Sequence, residues 1–487
     1  MKKVVVIGAG LGGLSAAIRL AKTGHEVTVL EKNAYAGGKC TSLQLGTYRF
    51  DAGPSLFTLP HLVHELIALA PNPPEFPVQQ MDRSCHYFWN DGTRFTAWFD
   101  KQKLADEVEQ VFNTSAAPVL SLLEKSREIH EATSSIFLHK SLHRWKTYFS
   151  ADVLKTLAAL PQLGLTRSLN DVNSATLKHP KLVQLFNRYA TYNGSDPYKA
   201  PGVLLTIPHL EHNIGTFLPA KGMVDITDQL VAVARQLGVT FHFNQEVKSI
   251  EVDRGTVRSV STETAQFPAQ FVVSNADVYA TYRHLMPKQK APEKTLKRER
   301  SGSALIFYWG IKKRFPQLHL HNIFFSDNYQ AEFQWQFDGA PMPKDLTVYV
   351  NITSPFCAGD APLGGENWFV MINAPANGGD GKALDQKRVR ALILEKLSGI
   401  LGENIEALIE EEDFLDPARI EARTASFLGA LYGTSSNTRM SAFLRHPNFQ
   451  QQIKGLYFCG GSVHPGGGIP LVLLSGKIVA ELINWKA

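Results

Sequence analysis

The chain has 487 residues, 44% of them hydrophobic and 20% charged, and a formal net charge of +5. That length exceeds one ordinary core and argues for two domains, while the composition excludes a disordered or fibrous protein. The mild charge points away from nucleic acid but permits a cationic face toward anionic lipid. Four cysteines, Cys40, Cys85, Cys357 and Cys459, form no C-x-x-C pair, so neither a metal site nor a disulfide framework is indicated and a reduced, cytoplasmic protein is expected.

The first thirty-one residues read as a dinucleotide site. Val4-Val5-Val6-Ile7 has the look of a buried parallel strand. Gly8-Ala9-Gly10-Leu11-Gly12-Gly13 follows with the spacing G-x-G-x-x-G at Gly8, Gly10 and Gly13; Leu14, Ile18 and Ala21 recur at helical spacing, and Gly24 closes the helix. A second strand over Glu26–Leu30 ends on Glu31. The first glycine makes the turn, the second lets the backbone reach a pyrophosphate, and the third lets helix and strand pack closely. The pyrophosphate then sits on the helix N-terminus, and Glu31 is placed to accept from an adenosine ribose, which favours FAD or NAD over NADP. Two lysines before an apolar run also suit a signal peptide, but the glycine fingerprint accounts for the same residues better. No run of about eighteen apolar residues occurs, so no membrane span is expected.

Gly37-Gly38-Lys39, a hairpin-like stretch to Phe50 and the small-residue run Asp51–Leu56 come next. On their own these read equally well as surface turns. Strand-like segments lie around His86 to Phe99, a helix around Leu104 to Phe112, and another helix opens at Pro118. Between Glu131 and Asp152 there is no acidic residue. His139, Lys140, His143, Arg144 and Lys146 are mixed there with Ile136, Phe137, Leu138, Leu142, Trp145, Tyr148 and Phe149 on a segment read as helical. Two readings stand: a membrane-surface element and a domain-packing helix with a solvated basic edge.

Pro208-His209-Leu210-Glu211 precedes a helix from about Val224 to Leu237 and a strand over 238–243. Val247–Val252 and Val257–Val260 alternate like an antiparallel meander, and Phe271–Ser274 returns to a buried strand ending at Asn275. Leu305–Ile311, Thr347–Ile352 and Trp368–Ile372 read as sheet strands whose aromatics suit either a long apolar pocket or a sheet core. Ala430-Leu431-Tyr432-Gly433 leads to a strand over Leu456–Phe458 that ends in glycines at Gly460 and Gly461. Ser462-Val463-His464-Pro465-Gly466-Gly467-Gly468-Ile469-Pro470 opens a final helix whose Leu471, Leu474, Ile478 and Leu482 share one face.

The fingerprint, Pro208–Glu211 and above all Gly461–Pro470 resemble the bacterial carotenoid desaturase family, that of phytoene desaturase, and within it the hydroxycarotenoid 3,4-desaturase type. The resemblance implies an α/β fold. A doubly wound, Rossmann-like FAD-binding domain would be built discontinuously from residues 1–70, 206–285 and 421–487. A mixed-sheet and helical substrate domain, associating with membrane, would come from 71–205 and 286–420. It implies FAD as cofactor, with Lys39 on the pyrophosphate or flavin side, Ser55 and Leu56 giving backbone contacts, Val247 meeting the adenine and Asn275 lining the cofactor from a strand end. Leu431, Gly460, Gly467, Gly468, Ile469 and Pro470 join the cofactor set, the helix start facing the flavin pyrimidine edge where reduction creates negative charge.

The implied chemistry is dehydrogenation of a CH–CH unit beside a polyene, which itself delocalises the developing cation; no protein base is named, and His464 reads as structural or flavin-adjacent. The implied partners are a carotenoid, the membrane surface of a peripheral cytoplasmic protein, and oxygen or a quinone as electron acceptor, because no second G-x-G-x-x-G for NAD(P)H follows a strand. Phytoene desaturase, a flavin-dependent carotene isomerase, an amine oxidase and a non-catalytic pigment carrier are the rival readings.

Overall fold

The computed structural model describes residues 1–143, 164, 166–376, 384–438, 441 and 444–486. Five parallel strands form one sheet in the order Leu456–Phe458, Phe271–Ser274, Lys3–Ile7, Glu26–Leu30, Thr240–His242. The unbroken apolar run Val4–Ile7 is explained by burial on both faces. Val4 and Val6 join Val27 and Val29 in a core with the helices Leu11–Lys22, Val224–Gln236 and Ile469–Lys486. Val5 and Ile7 point the other way, into a core with Ile250, Val257 and Val260 of an antiparallel meander, Ser249–Asp253, Thr256–Ser261 and Gln266–Pro268. The meander starts two residues later than the alternation suggests; Val247 precedes it.

The helices Leu11–Lys22 and Ile469–Lys486 meet at Gly476, where a Cβ would lie 2.6 Å from the Gly12 carbonyl oxygen. Of the four residues expected to share the last helix's buried face, Leu474, Ile478 and Leu482 enter this core, while Leu471, at the helix start, lines the cavity described below.

A second sheet has seven strands in the order Ile409–Leu415, Ser303–Ile311, Glu366–Ala374, Val348–Ile352, His321–Phe324, Arg83–Phe88, Arg94–Trp98, with all pairs antiparallel except the parallel His321–Phe324 and Arg83–Phe88. Alternation along its strands divides the aromatics between two jobs. Phe307, Trp309, Val350, Trp368, Val370 and Ile372 pack on Val389, Ile393 and Leu397 of the helix Gln386–Leu401. On the opposite face Ile323, Tyr349, Met371, Ile306 and Leu415 stand in register across five adjacent strands. Both readings of the aromatic strands therefore hold, one for each face.

The helix Ala117–Phe137 ends inside the acid-free segment, with Leu138 as its C-cap. Beyond it the Lys140 carbonyl accepts from His464 Nε2 at 2.9 Å. His139 is exposed, but Ile136 and Leu142 are buried. Arg144, Trp145, Lys146, Tyr148 and Phe149 lie outside the described residues. No helix among the described residues is long and apolar enough to cross a membrane.

Candidate active site

Four neighbouring parallel strands end at one edge of the first sheet and are followed there by Gly8, Glu31, Asn275 and Gly460. These residues open a cavity of about 900 Å³ that runs on to the apolar row of the second sheet, whose five residues also line it. Such a crevice outside the strand ends is where an open α/β sheet binds its ligand.

At the glycine turn Gly8 has φ +93°, Gly10 is the N-cap of Leu11–Lys22, and no side chain caps that helix, so its first turn is open to an anion. Gly8, Gly10 and Gly12 line the cavity; Gly13 does not. A Cβ on Gly13 would lie 2.2 Å from the Gly8 carbonyl oxygen, so that position is spent on helix–strand packing. Asn275 closes over the turn, its Nδ2 donating to the Gly8 carbonyl at 3.4 Å. Glu31 is buried, and its carboxylate accepts from the Ala9 N–H at 2.8 Å and from the Asn33 N–H and Nδ2 at 2.9 Å each. It thus braces the turn while lining the cavity beside Val247.

Lys39 also lines the cavity, and its Nζ donates to the Leu431 carbonyl at 2.8 Å, joining two distant stretches assigned to one site. Burial lowers its pKa to about 8, Asp277 opposing and Arg300 adding to the effect. The run Ala52–Leu56 crosses directly against this turn: a Cβ on Gly53 would fall 1.7 Å from the Lys39 carbonyl oxygen. Ser55 and Leu56 line the cavity, and Ser55 Oγ lies 2.8 Å from the Tyr349 hydroxyl.

Gly460, Gly467, Gly468, Ile469, Pro470 and Leu431 complete the wall. Gly460 N–H donates to Ser475 Oγ at 2.8 Å, and a Cβ on Gly467 would lie 2.9 Å from Tyr432 Cα. His464 lines the cavity too, but its ring is committed to the Lys140 carbonyl and burial lowers its pKa to about 4. Arg445, beside it, donates to the Tyr432 carbonyl at 2.7 Å, and burial lowers its pKa to about 10.

Among the polar groups at the wall that sequence did not single out are Arg188, which lines the cavity and pairs with Glu211, and His321. Arg188 and Glu211 form a buried pair, Nη2 to Oε1 3.4 Å, with Arg188 also donating to the hydroxyls of Tyr87 at 2.7 Å and Tyr192 at 2.8 Å. Burial opposes the charge on both, but Tyr192 and Glu211 hold Arg188 well above its ordinary value and Arg188 holds Glu211 below its own. The Pro208–Glu211 motif enters the sequence reading only through a resemblance; its chemical content is this carboxylate. His321, the second group, has no sequence signal beyond a histidine in an apolar stretch. Among the described residues no three His, Cys, Asp or Glu side chains cluster as a metal site, and the four cysteines are buried and free.

An open helix N-terminus, a turn too tight for side chains, a buried acid at the second strand end and a cavity spanning both sheets fit a flavin dinucleotide. The sequence matches the flavin containing amine oxidoreductase family over residues 11–484. It is 50% identical over 484 residues, 99% of each chain, to a 1-hydroxycarotenoid 3,4-desaturase of Flavobacterium sp. (strain P99-3). It is 29% identical to a phytoene desaturase of Fusarium fujikuroi, covering 99% of this chain and 89% of that one. An oxidoreductase structure from Methanosarcina mazei has the same fold, with TM-score 0.64 and 18% identity over 98% of this chain and 100% of that one. The cofactor is FAD, and the chain belongs to the flavin containing amine oxidoreductases, in their carotenoid desaturase branch.

Proposed function

We propose that the chain introduces a double bond beside the polyene of an acyclic or monocyclic carotenoid bearing a 1-hydroxylated end, at C3–C4. The observation that carries this reading is the continuity of the cavity from the glycine turn to the row Leu415, Ile306, Met371, Tyr349 and Ile323. That row offers a flat apolar wall to an extended chain, and the Flavobacterium relative names the end group and bond. FAD, when bound, supplies the acceptor for the two electrons leaving the CH–CH unit.

The chain's own residues do the rest. Gly8, Gly10, Gly12 and the first turn of Leu11–Lys22 would hold the pyrophosphate, Glu31 the ribose and Val247 the adenine. Lys39, Ser55, Leu56, Asn275, Leu431, Gly460 and Gly467–Pro470 would hold the flavin. The apolar row excludes water and fixes which bond lies beside the flavin. We assign no side chain the role of base; the polyene spreads the positive charge. Incubation with a 1-hydroxylated carotenoid should give a product lighter by two hydrogens and absorbing at longer wavelength. A product unchanged in mass but altered in cis/trans pattern would instead favour isomerisation.

We further propose the two-domain division given above, attachment to an anionic membrane surface through the acid-free segment, and oxygen or a quinone as electron acceptor. The support for attachment is that Phe137, Leu138 and Leu142, which belong to the acid-free segment, line the cavity. Replacing Lys140, Arg144 and Lys146 with glutamate should release the protein from anionic vesicles, since each basic residue contributes about 1 kcal/mol there. Unchanged co-sedimentation would move the contact elsewhere.

A further inference from the structure

We propose that His321, positioned by Tyr349 and Ser55, recognises the hydroxyl on the substrate's end group. This deepens the reading above and rests on it. His321 opens the strand His321–Phe324, is 3% exposed and lines the cavity; Ile323, two residues on, belongs to the apolar row. Its Nδ1 lies 2.7 Å from the Tyr349 hydroxyl and 3.3 Å from Asn351 Nδ2.

The Tyr349 hydroxyl donates to Ser55 Oγ at 2.8 Å, and Asn351 Nδ2 donates to the Leu320 carbonyl at 2.8 Å. Nδ1 is thus the ring nitrogen engaged by Tyr349, and Nε2 is left as the nitrogen facing the cavity, a donor or an acceptor according to the tautomer. Burial lowers the ring's pKa to about 3, so it is neutral at working pH and carries one proton. Nε2 is buried and has no hydrogen-bond partner among the described residues. A buried ring nitrogen without a partner is uncommon, and in a cavity wall it marks the place of a ligand hydroxyl, which can both donate and accept.

Position argues the same way. The bond to be oxidised begins two carbon–carbon bonds from the carbinol carbon, so the group that reads the hydroxyl must stand close to the reacting carbons. Tyr349 touches both His321 Nδ1 and Ser55 Oγ, and Ser55 belongs to the run that crosses against Lys39. Arg188, another polar group in the wall, has both terminal nitrogens engaged by Tyr87, Tyr192 and Glu211. His321 has Nε2 free of such engagement. A site built to bond a hydroxyl discriminates against analogues lacking it far more strongly than an apolar wall discriminates by size.

The test compares kcat/KM for a 1-hydroxylated acyclic carotenoid and its analogue lacking only the hydroxyl. It uses FAD-loaded wild type, His321→Phe, His321→Gln and Tyr349→Phe, with flavin content and thermal midpoint recorded for each. Wild type should favour the hydroxylated substrate by about 100-fold or more, and His321→Phe should bring that ratio to within about threefold of unity. His321→Gln places an amide, with both a donor and an acceptor, near the position of Nε2 and should restore at least about tenfold preference. Tyr349→Phe should lower the preference about tenfold by releasing the ring. A His321→Phe enzyme that keeps the wild-type ratio overturns the inference and leaves the reaction standing. Should that variant fail to hold flavin, an unchanged ratio in Tyr349→Phe overturns it equally. Wild type that oxidises neither carotenoid overturns the proposed function and this inference together.

Discussion

The side chain of Asn275 stands over Gly10 so closely that a Cβ there would lie 2.7 Å from its Nδ2. Gly12 is confined twice over, with a Cβ 2.7 Å from Asn275 Oδ1 and 2.9 Å from the Gly460 nitrogen. The two glycines therefore differ in what must yield. Gly10→Ala should destabilise the apoprotein by about 1–3 kcal/mol, and Asn275→Ala should recover most of that. Gly12→Ala presses on backbone and should not be rescued. Thermal midpoints of the four variants check this, and equal rescue at both positions would contradict it. Gly10→Val should abolish flavin binding whichever partner is trimmed.

Gly467→Ala makes the corresponding test at the C-terminal motif. Its Cβ would meet Tyr432 Cα at 2.9 Å, a backbone atom that cannot swing away. A loss of about 1–3 kcal/mol and a lower flavin-to-protein absorbance ratio are expected. Wild-type flavin content and midpoint would show that the approach of Gly467 to Tyr432 does not matter.

Glu31 holds two backbone N–H groups as well as facing the proposed ribose site. Glu31→Ala leaves the donors of Ala9 and Asn33 without their acceptor, a cost of about 1–3 kcal/mol for each buried one. Flavin should be lost on gel filtration, and the apoprotein should also melt earlier. Loss of flavin with no change in apoprotein midpoint would separate the two roles.

Arg188 and Glu211 are 7% and 2% exposed at the side chain, so each depends on the other. Arg188→Met should cost about 3–5 kcal/mol by stranding a buried carboxylate. Adding Glu211→Gln should recover a large part of it. Denaturant unfolding of the single and double variants measures the coupling; additive losses would mean the pair does not interact.

Acid should destabilise the protein through its buried histidines. Burial lowers His130, His212, His319, His446 and His464 to about 4 and His321 to about 3, against an ordinary 6.5. Between those values the unfolded chain binds protons that the folded chain does not, so stability rises with pH across that window. It is complete above pH 6.5 and is lost as pH falls toward 4. The thermal midpoint should fall steeply below about pH 6.5. A flat profile from pH 7 to 5 would contradict the burial of these rings.

What the sequence made legible is what is local. Strand, glycine turn, helix and Glu31 are consecutive, and each residue's job follows from its neighbours, down to the packing role of Gly13. The helix beginning at Ile469 is legible for the same reason. The second sheet is less so, because Trp368 and Phe369 look alike in sequence and serve opposite faces. His321 and the Arg188–Glu211 pair are hidden because their surroundings come from far along the chain: His321 faces Asn351 through strand register, and Tyr349 reaches back to Ser55. Arg188 and Tyr192 one turn apart, with a buried acid in Pro208–Glu211, were the available signal for the pair. The helix ends at Phe137, and the bond from His464 to the Lys140 carbonyl beyond it is one that no local pattern announces.

The central claim is that this cavity brings a hydroxylated polyene end against the flavin for oxidation. Anaerobic mixing of the FAD-loaded protein with a stoichiometric 1-hydroxylated carotenoid tests it most directly. Bleaching of the oxidised flavin band, matched mole for mole by a product with two fewer hydrogens, is the predicted result. Flavin that stays oxidised while the carotenoid binds unchanged would contradict the account.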